Sequence, residues 1–205
     1  MTPNKPLRVL ICEDETILRE WLARSVQQMG HEVVGRARDG IAAQELARTM
    51  EPDFIIMDIK MPRCDGLTAT AEIMRGTPLP ILILTAYSDS EAVTRALEAG
   101  AAGYLVKPID TNQLAPAITL AYAKFKEVSN LRHQEAALRE TLEQRKIVER
   151  AKGLLMRTLQ FDEESAHRML QRLASQQRQP IHEVSKNVIA AAESGKLAQL
   201  AATGH

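Results

Sequence analysis

Polar residues with reactive side chains stand at the C-terminal ends of short apolar runs in the first half of the chain. Glu13 and Asp14 follow the run at 7–12, and Asp58 follows the run at 54–57. Carboxylates that are crowded together raise one another's pKa values unless a cation neutralises them, so such a group favours Mg²⁺ binding. With the metal ion present, one carboxylate can attack a phosphorus atom and form an acyl phosphate. The acidic residues therefore predict phosphoryl-transfer chemistry that depends on Mg²⁺.

Two more runs end in groups that suit the same chemistry. Thr85 follows the run at 81–84, and Lys107 follows the run at 103–106. The lysine ammonium supplies a charged hydrogen-bond donor for a phosphoryl group, and the threonine supplies a hydroxyl. Each residue alone could be an ordinary capping, core or surface residue. Because they recur at the same place in successive runs, we interpret them together as one site.

The apolar runs predict the strands that position these groups. Short Val, Ile and Leu runs separated by helical stretches are typical of parallel strands that are buried on both faces. Ligands of such sheets bind outside the carboxyl ends of the strands, so we expect all of the polar groups in one crevice. The predicted fold class is α/β, with a doubly wound five-stranded parallel sheet. The predicted strands are 7–12, 32–37, 54–58, 81–85 and 103–106.

The second half of the chain has a helical pattern and no alternation of period two. A long helix from about 111 to 160, a helix at 163–177 capped by Asp162, and a helix at 181–194 are predicted. The second half of the chain is therefore predicted to form a long helix and a small three-helix all-α domain. Apolar residues on the long helix follow a rough heptad spacing, which leaves two interpretations open: a helix half buried on its own domain, or a coiled-coil linker between two subunits. These residues are Val128, Leu131, Leu138 and Leu142.

The two halves of the chain differ in charge although the whole chain has a net charge of zero. Residues 1–123 hold 12 Lys/Arg and 16 Asp/Glu, whereas residues 124–205 hold 14 and 10. This asymmetry favours two modules, of which the second could meet a polyanion, although solvated helix faces would also account for it. After Phe125 the one aromatic residue is Phe161, which argues against recognition of single strands by stacking.

Composition excludes several other classes of protein. The longest purely apolar run has about six residues, against roughly 20 for a membrane-spanning helix. Residues 1–6 have no signal-peptide pattern, so we expect a cytoplasmic protein without membrane contact. Cys12 and Cys64 lack metal-ligand spacing and are expected to be buried or partly buried thiols.

The first 123 residues resemble the receiver domain of two-component response regulators. This resemblance implies a flavodoxin-like fold, a histidine kinase as partner and Asp58 as the phosphoacceptor. It further implies that Asp14, Asp58 and the main-chain carbonyl of Lys60 bind Mg²⁺, with Glu13 close by. The matching residues are Glu13-Asp14, Asp58, Lys60-Met61-Pro62 with Asp65-Gly66, Thr85-Ala86 and Lys107-Pro108.

The same resemblance assigns roles to the remaining site residues. Lys107 would pair with the phosphoryl oxygens, and the Lys107–Pro108 bond would be cis. Thr85 would turn inward to the phosphoryl group, and Tyr104 would change rotamer with it. The protein would accept a phosphoryl group and hydrolyse it slowly, and would not otherwise be an enzyme. The family often has two aspartates where this chain has Glu13 and Asp14.

Residues 140–195 resemble the ANTAR module, a three-helix RNA-binding output domain of some response regulators. The resemblance implies binding to paired hairpin loops in RNA and prevention of transcription termination. Our candidates for RNA contact are Arg145, Lys146, Arg150 and Lys152. The residues that carry the match are Arg145, Ile147, Ala151-Lys152-Gly153, Leu155-Met156, Ala166, Leu170, Leu173-Ala174 and Val184.

Together the two resemblances predict a regulator in three parts, with a receiver at 1–123, a helical linker at 124–143 and an RNA-binding domain at 144–205. We expect phosphorylation to favour a homodimer that presents two basic modules to paired RNA elements. Two alternatives remain at this point. The helical domain could bind DNA as a helix-turn-helix, although it lacks a short Gly-containing turn. It could also act as an adaptor through protein–protein contacts.

Overall fold

The five apolar runs of the first half form five parallel strands. The structure is a computed structural model that describes residues 5–86 and 90–196. The strands are β1 (Arg8–Cys12), β2 (Glu32–Ala37), β3 (Phe54–Asp58), β4 (Ile81–Thr85) and β5 (Gly103–Val106). They pair in the order β2-β1-β3-β4-β5, which is the doubly wound arrangement expected.

Helices follow the strands in alternation, and local chemistry explains several of their ends. The first four helices are α1 (Thr16–Gln28), α2 (Gly40–Met50), α3 (Gly66–Gly76) and α4 (Ser90–Glu98). Asp39 caps α2 by accepting hydrogen bonds from the backbone N–H groups of Ile41 and Ala42 at 3.0 and 2.9 Å. Gly30 and Gly100, with φ of +83° and +93°, end α1 and α4.

Both faces of the sheet are covered by buried apolar residues, as the unbroken runs predicted. On one face, Leu10, Ile55 and Ile83 belong to a core that includes residues of α2 and α3. On the other face, Ile11 and Ile56 pack with residues of α1 and of the helix that follows β5. Alternate residues of each strand thus serve opposite cores. Cys12 is buried and Cys64 is partly buried, as expected.

One helix, α5 (Thr111–Leu159), continues for 49 residues after β5. The chain divides into two compact units, Met1–Asn130 and Leu131–His205, and α5 runs from the first unit into the second. Residues 131–143 are exposed along the whole of this stretch. The interpretation of the linker as a helix half buried on its own domain is therefore not supported there.

The second unit adds α6 (Glu163–Gln177) and α7 (Ile181–Glu193) to the end of α5. Asp162 caps α6 as predicted, because its carboxylate accepts a hydrogen bond from the backbone N–H of Ser165 at 2.7 Å. The three helices share a small core that contains Ala151, Leu155, Ala166, Leu170, Val184 and Val188. Among the helices described, none is long and apolar enough to cross a membrane.

Candidate functional site

The polar groups at the strand ends meet at one edge of the sheet. Parallel pairing sets Asp58 beside Leu84 and Thr85 beside Val106, so the residues that follow each strand emerge on the same side. A cleft of about 260 Å³ opens there. Most of the residues predicted for the site line this cleft, namely Glu13, Asp14, Asp58, Lys60, Thr85 and Lys107. Glu15, Ile59 and Ala86 complete the lining.

One ammonium group joins two buried carboxylates in this cleft. Lys107 Nζ lies 2.7 Å from Asp58 Oδ1 and 2.8 Å from Glu13 Oε2. The Lys107 backbone N–H also donates to the carbonyl of Thr85 at 2.7 Å, which ties the chain after β5 to the end of β4. The Lys107–Pro108 peptide bond is cis. The site therefore contains a carboxylate with its cationic partner already in contact.

Burial and charge oppose each other at these groups. Burial raises the pKa of Asp58, while the hydrogen bond and the charge of Lys107 lower it in part. Burial likewise raises the pKa of Glu13, again against the hydrogen bond from Lys107. For Lys107, burial lowers the pKa, but the bonds to Asp58 and Glu13 outweigh it and raise the pKa overall. The net effect is a crowded acidic site with more negative charge than one ammonium neutralises.

The carboxylates of Glu13, Asp14 and Asp58 are arranged as a metal site requires. One oxygen of each lies within 4.8 Å of the others, with Asp14 exposed and the other two residues buried. Hard divalent cations such as Mg²⁺ prefer oxygen ligands and usually keep several waters, which the exposed side of the cleft would admit. The donor set therefore fits Mg²⁺. Lys60 is exposed and lines the cleft, and the role of its carbonyl stays a prediction.

Thr85 and Tyr104 lie on neighbouring strands, as the predicted switch requires. Thr85 is buried at the end of β4. Tyr104 pairs with Ile83 across the β4–β5 ladder and is 43% exposed. The structure thus holds the hydroxyl at the site and the aromatic ring in contact with solvent. A coupled movement of the two side chains stays a prediction.

The loop after β3 is fixed against the site by a close approach at Gly66. A Cβ at this position would overlap the carbonyl oxygen of Asp58, so glycine is required here for steric reasons. Asp65 caps α3 by accepting a hydrogen bond from the Thr68 N–H at 2.8 Å. Arg63 forms an ion pair with Asp39, the cap of α2, and so links this loop to its neighbour. The sequence did not single out the Arg63–Asp39 pair.

Arg19 is another residue that the sequence did not single out. It is 3% exposed and donates hydrogen bonds to the carbonyl oxygens of Glu13 and Asp14, at 2.8 and 3.1 Å. The sequence did contain a signal for the burial of Arg19. The buried Leu22, Ala23 and Val26 follow it by three, four and seven residues, so all four lie on one face of α1. The buried face of α1 therefore delivers a cation to the acidic loop.

The basic residues predicted to contact RNA are not equivalent in the structure. Arg145, Lys146 and Arg150 are exposed, and Arg150 pairs with Glu193 at 2.9 Å. Lys152 is 8% exposed, and its ammonium bonds Glu149 at 3.1 Å and Glu163 at 2.8 Å. This burial favours a structural role for Lys152, namely joining α5 to the start of α6, over the predicted RNA contact.

Comparison with known proteins agrees with these features. The family model of the response regulator receiver domain matches residues 9–119. The model of the ANTAR domain matches residues 136–189. The transcriptional regulatory protein PdtaR of Mycobacterium tuberculosis is 46% identical to this chain over 184 residues, which cover 90% of each protein.

Solved structures resemble the first unit. The signal receiver domain of a modulated diguanylate cyclase from Desulfovibrio desulfuricans is 31% identical, with a TM-score of 0.55, and covers 60% of this chain and 98% of that one. A chain of the CheX–CheY–BeF3–Mg²⁺ complex from Borrelia burgdorferi is 27% identical, with a TM-score of 0.52, and covers 53% of this chain and 84% of that one. With the acidic cleft of the first unit and the three-helix core of the second, these matches show that the chain belongs to the response regulators that carry a receiver domain followed by an ANTAR domain.

Proposed function

We propose that phosphorylation of Asp58 controls this response regulator and that its ANTAR domain binds structured RNA to prevent transcription termination. The observation that carries the proposal is the contact of Lys107 with both Asp58 and Glu13 in a cleft that groups three carboxylates. The parts are a receiver at 1–123, a helical linker at 124–143 and an RNA-binding domain at 144–205.

In the receiver, the carboxylate of Asp58 is the nucleophile. One of its oxygens attacks the phosphorus atom of a phosphohistidine on a partner kinase, the P–N bond breaks, and the imidazole nitrogen leaves with the bond's electron pair. Glu13, Asp14, Asp58 and the Lys60 carbonyl would hold Mg²⁺, which would supply positive charge to the phosphoryl oxygens. The chain is not otherwise an enzyme, and it hydrolyses the acyl phosphate slowly.

Lys107 and Thr85 then respond to the new group. The ammonium of Lys107 already lies 2.7 Å from Asp58, so it reaches phosphoryl oxygens with a small movement. Thr85 turns its hydroxyl toward the phosphoryl group, and Tyr104 follows into the space that this movement opens. The added charge thereby shifts the receiver between two states.

The ANTAR domain binds RNA through exposed cations. Arg145, Lys146 and Arg150 are accessible, and a phosphate backbone would bind them in a salt-dependent way. In the phosphorylated state the chain forms a homodimer, which presents two such domains to two paired hairpin loops. Two modest affinities then combine through effective concentration.

The first experiment tests the phosphoacceptor. Incubation with acetyl phosphate and Mg²⁺ should add one phosphoryl group to Asp58, detected by mass spectrometry of the intact chain. Asp58→Asn should abolish this labelling, because an amide is not a competent nucleophile. Asp53→Asn, at the residue that precedes the other end of β3, should leave it unchanged. Undiminished labelling of Asp58→Asn would refute the assignment.

The second experiment tests the ligand of the ANTAR domain. Binding of the full chain to an RNA with two hairpins should exceed binding to duplex DNA of equal length and should weaken as salt increases. Equal binding to the duplex would favour a DNA-binding regulator. Absence of nucleic-acid binding would favour an adaptor that acts through protein contacts.

A further inference from the structure

The start of α1 is organised by a buried arginine. Arg19 lies one turn inside the helix, and its Nη1 donates to the carbonyl oxygens of Glu13 and Asp14 at 2.8 and 3.1 Å. Its Nη2 donates to the hydroxyl of Thr16 at 3.1 Å. One planar group therefore binds both acidic residues of the loop and the first residue of the helix.

The burial of this cation is not explained by an ion pair. In the described part of the chain, its side-chain hydrogen bonds go to carbonyl and hydroxyl oxygens rather than to a carboxylate. A buried charge with neutral partners carries a large desolvation penalty. It is retained here beside Glu13 and Asp14, two of the three carboxylate residues of the candidate metal site, whose backbone it holds.

The loop also has a structural need that Arg19 meets. The N-cap of α1, Glu15, forms no side-chain capping hydrogen bond. Glu13 is buried, and buried carbonyl groups require a donor. The Glu13 N–H is held by the Ala37 carbonyl at 3.1 Å, whereas its carbonyl is held by Arg19. The backbone on both sides of the Glu13 side chain is thereby fixed.

We propose that Arg19 is a positioning residue of the Mg²⁺ site. By holding the carbonyl oxygens of Glu13 and Asp14, it fixes the directions of their side chains, so that both carboxylates converge with that of Asp58 before the metal ion arrives. This inference rests on the proposed function of the receiver. It also means that α1 contributes to metal binding through its buried face, and not only through the loop that precedes it.

The effect on metal affinity follows from preorganisation. Groups that orient metal ligands typically change metal affinity by about 10- to 100-fold when they are removed. Arg19→Met keeps an unbranched apolar side chain in place of the arginine stem and removes the donors. Arg19→Lys keeps a positive charge but loses the fork that reaches two carbonyls and a hydroxyl at once. Arg24→Met removes an exposed cation from the same helix and serves as the matched control.

The test is calorimetric titration of the full-length chain with Mg²⁺, below the melting temperature of every variant. We expect Arg19→Met to weaken Mg²⁺ binding by at least about tenfold and Arg19→Lys to weaken it less, while Arg24→Met stays within about twofold of the unaltered chain. In acetyl phosphate labelling, the Mg²⁺ concentration for half-maximal rate should rise in Arg19→Met. The rate at saturating Mg²⁺ should recover, which a general loss of packing would not produce.

A milder variant covers the case in which Arg19→Met does not fold. Thr16→Val removes the acceptor of Nη2 and should increase hydrogen exchange at residues 13–16 in metal-free protein and weaken Mg²⁺ binding. Unchanged Mg²⁺ affinity in folded Arg19→Met, or in Thr16→Val and Arg19→Lys together, would overturn the inference and leave the proposed function intact. An unaltered chain that does not bind Mg²⁺ would overturn both.

Discussion

Asp58 and Glu13 keep their carboxylates in a buried cleft because one ammonium contacts both. The Lys107 Nζ is 2.7 Å from one and 2.8 Å from the other. Burial still raises the pKa values of both acids, so the contact does not fully offset desolvation. An added cation would relieve this imbalance, and an added phosphoryl group would compete for Lys107. At the scale of single residues, this charge imbalance supports the proposed roles of the cleft in Mg²⁺ binding and phosphorylation.

His31 provides a test of how burial sets pH dependence. Its Nδ1 accepts a hydrogen bond from the Leu7 N–H at 3.3 Å, and burial lowers its pKa below the usual 6.5. Protonation then favours the unfolded chain. Stability from this residue is therefore complete above about pH 6.5 and is lost as the pH falls through the lower, folded-state pKa.

We expect His31→Gln to reduce the loss of unfolding free energy between neutral and mildly acidic pH, measured by urea unfolding at several pH values. Glutamine keeps an acceptor for the Leu7 N–H but does not titrate. His133→Gln, on the exposed part of α5, should follow the unaltered chain. If the unfolding free energy of the unaltered chain and of His31→Gln changed identically with pH, the lowered pKa of His31 would be contradicted.

A substitution of Lys152 tests whether this residue stabilises the fold or binds RNA. Lys152→Met keeps the buried stem but loses the ammonium that bonds Glu149 and Glu163. Because both partners are largely exposed, we expect a loss of at most about 1 kcal/mol in unfolding free energy. RNA affinity should change little.

Lys146→Met is the matched comparison, since Lys146 is exposed on the same helix. It should weaken RNA binding and reduce the slope of log affinity against log salt by about 1. RNA titrations at several salt concentrations would distinguish the two variants. Equal losses of affinity in both would restore Lys152 as a contact residue.

The role of a residue could be predicted from the sequence where several patterns agreed, but not where it was assigned from one pattern alone. Asp58, Thr85 and Lys107 each end an apolar run, so their convergence followed from the sheet. Lys152 was grouped with its basic neighbours, although it lies four residues after Val148 and three before Leu155, both of which belong to the core cluster or pack against it. The helical periodicity therefore indicates that Lys152 lies on the buried face of α5.

At the scale of elements, the strands and helix ends were largely readable from the sequence. Continuous Val, Ile and Leu runs can be buried on both faces, and Gly30 and Gly100 have the positive φ that ends a helix. The extent of α5 was also expected. Tertiary contacts such as the Arg63–Asp39 pair were not readable, because they depend on which loops meet at the edge of the sheet.

Gly153 supplies a prediction about the helix that begins the ANTAR core. A Cβ at this position would have Arg157 Nη1 at 3.8 Å as its nearest neighbour outside the helix backbone, so alanine fits without a clash. Gly153→Ala should stabilise α5 by roughly 0.5–1 kcal/mol, because glycine is unfavourable inside a helix. Native-state hydrogen exchange of the surrounding amides would measure this.

Gly195→Ala is the opposing control. Gly195 has a φ of +71° after α7, where an L side chain is strained, so alanine should destabilise rather than stabilise. Slower exchange around residue 153 combined with weaker RNA binding in Gly153→Ala would indicate that the ligand uses the open space. Faster exchange there would contradict the structural account of this glycine.

At the scale of the whole molecule, a single helix belongs to both units. α5 carries Leu131, Leu138 and Leu142, each more than half exposed, on the stretch between the receiver and the ANTAR core. Leucines at this spacing on an exposed helix are typical of a coiled-coil seam. They support the proposed homodimer, in which phosphorylation at one end of the chain determines how RNA-binding domains are presented at the other.

Control of RNA binding by the state of Asp58 is the central claim, and one titration tests it most directly. The affinity of the full-length chain for a two-hairpin RNA would be measured with Mg²⁺, in the presence and absence of beryllofluoride as a phosphoryl mimic. We expect at least about tenfold tighter binding with beryllofluoride, in line with a coupling free energy of 1–3 kcal/mol, and no such gain in Asp58→Asn. Equal affinity in both states of the unaltered chain would contradict the account.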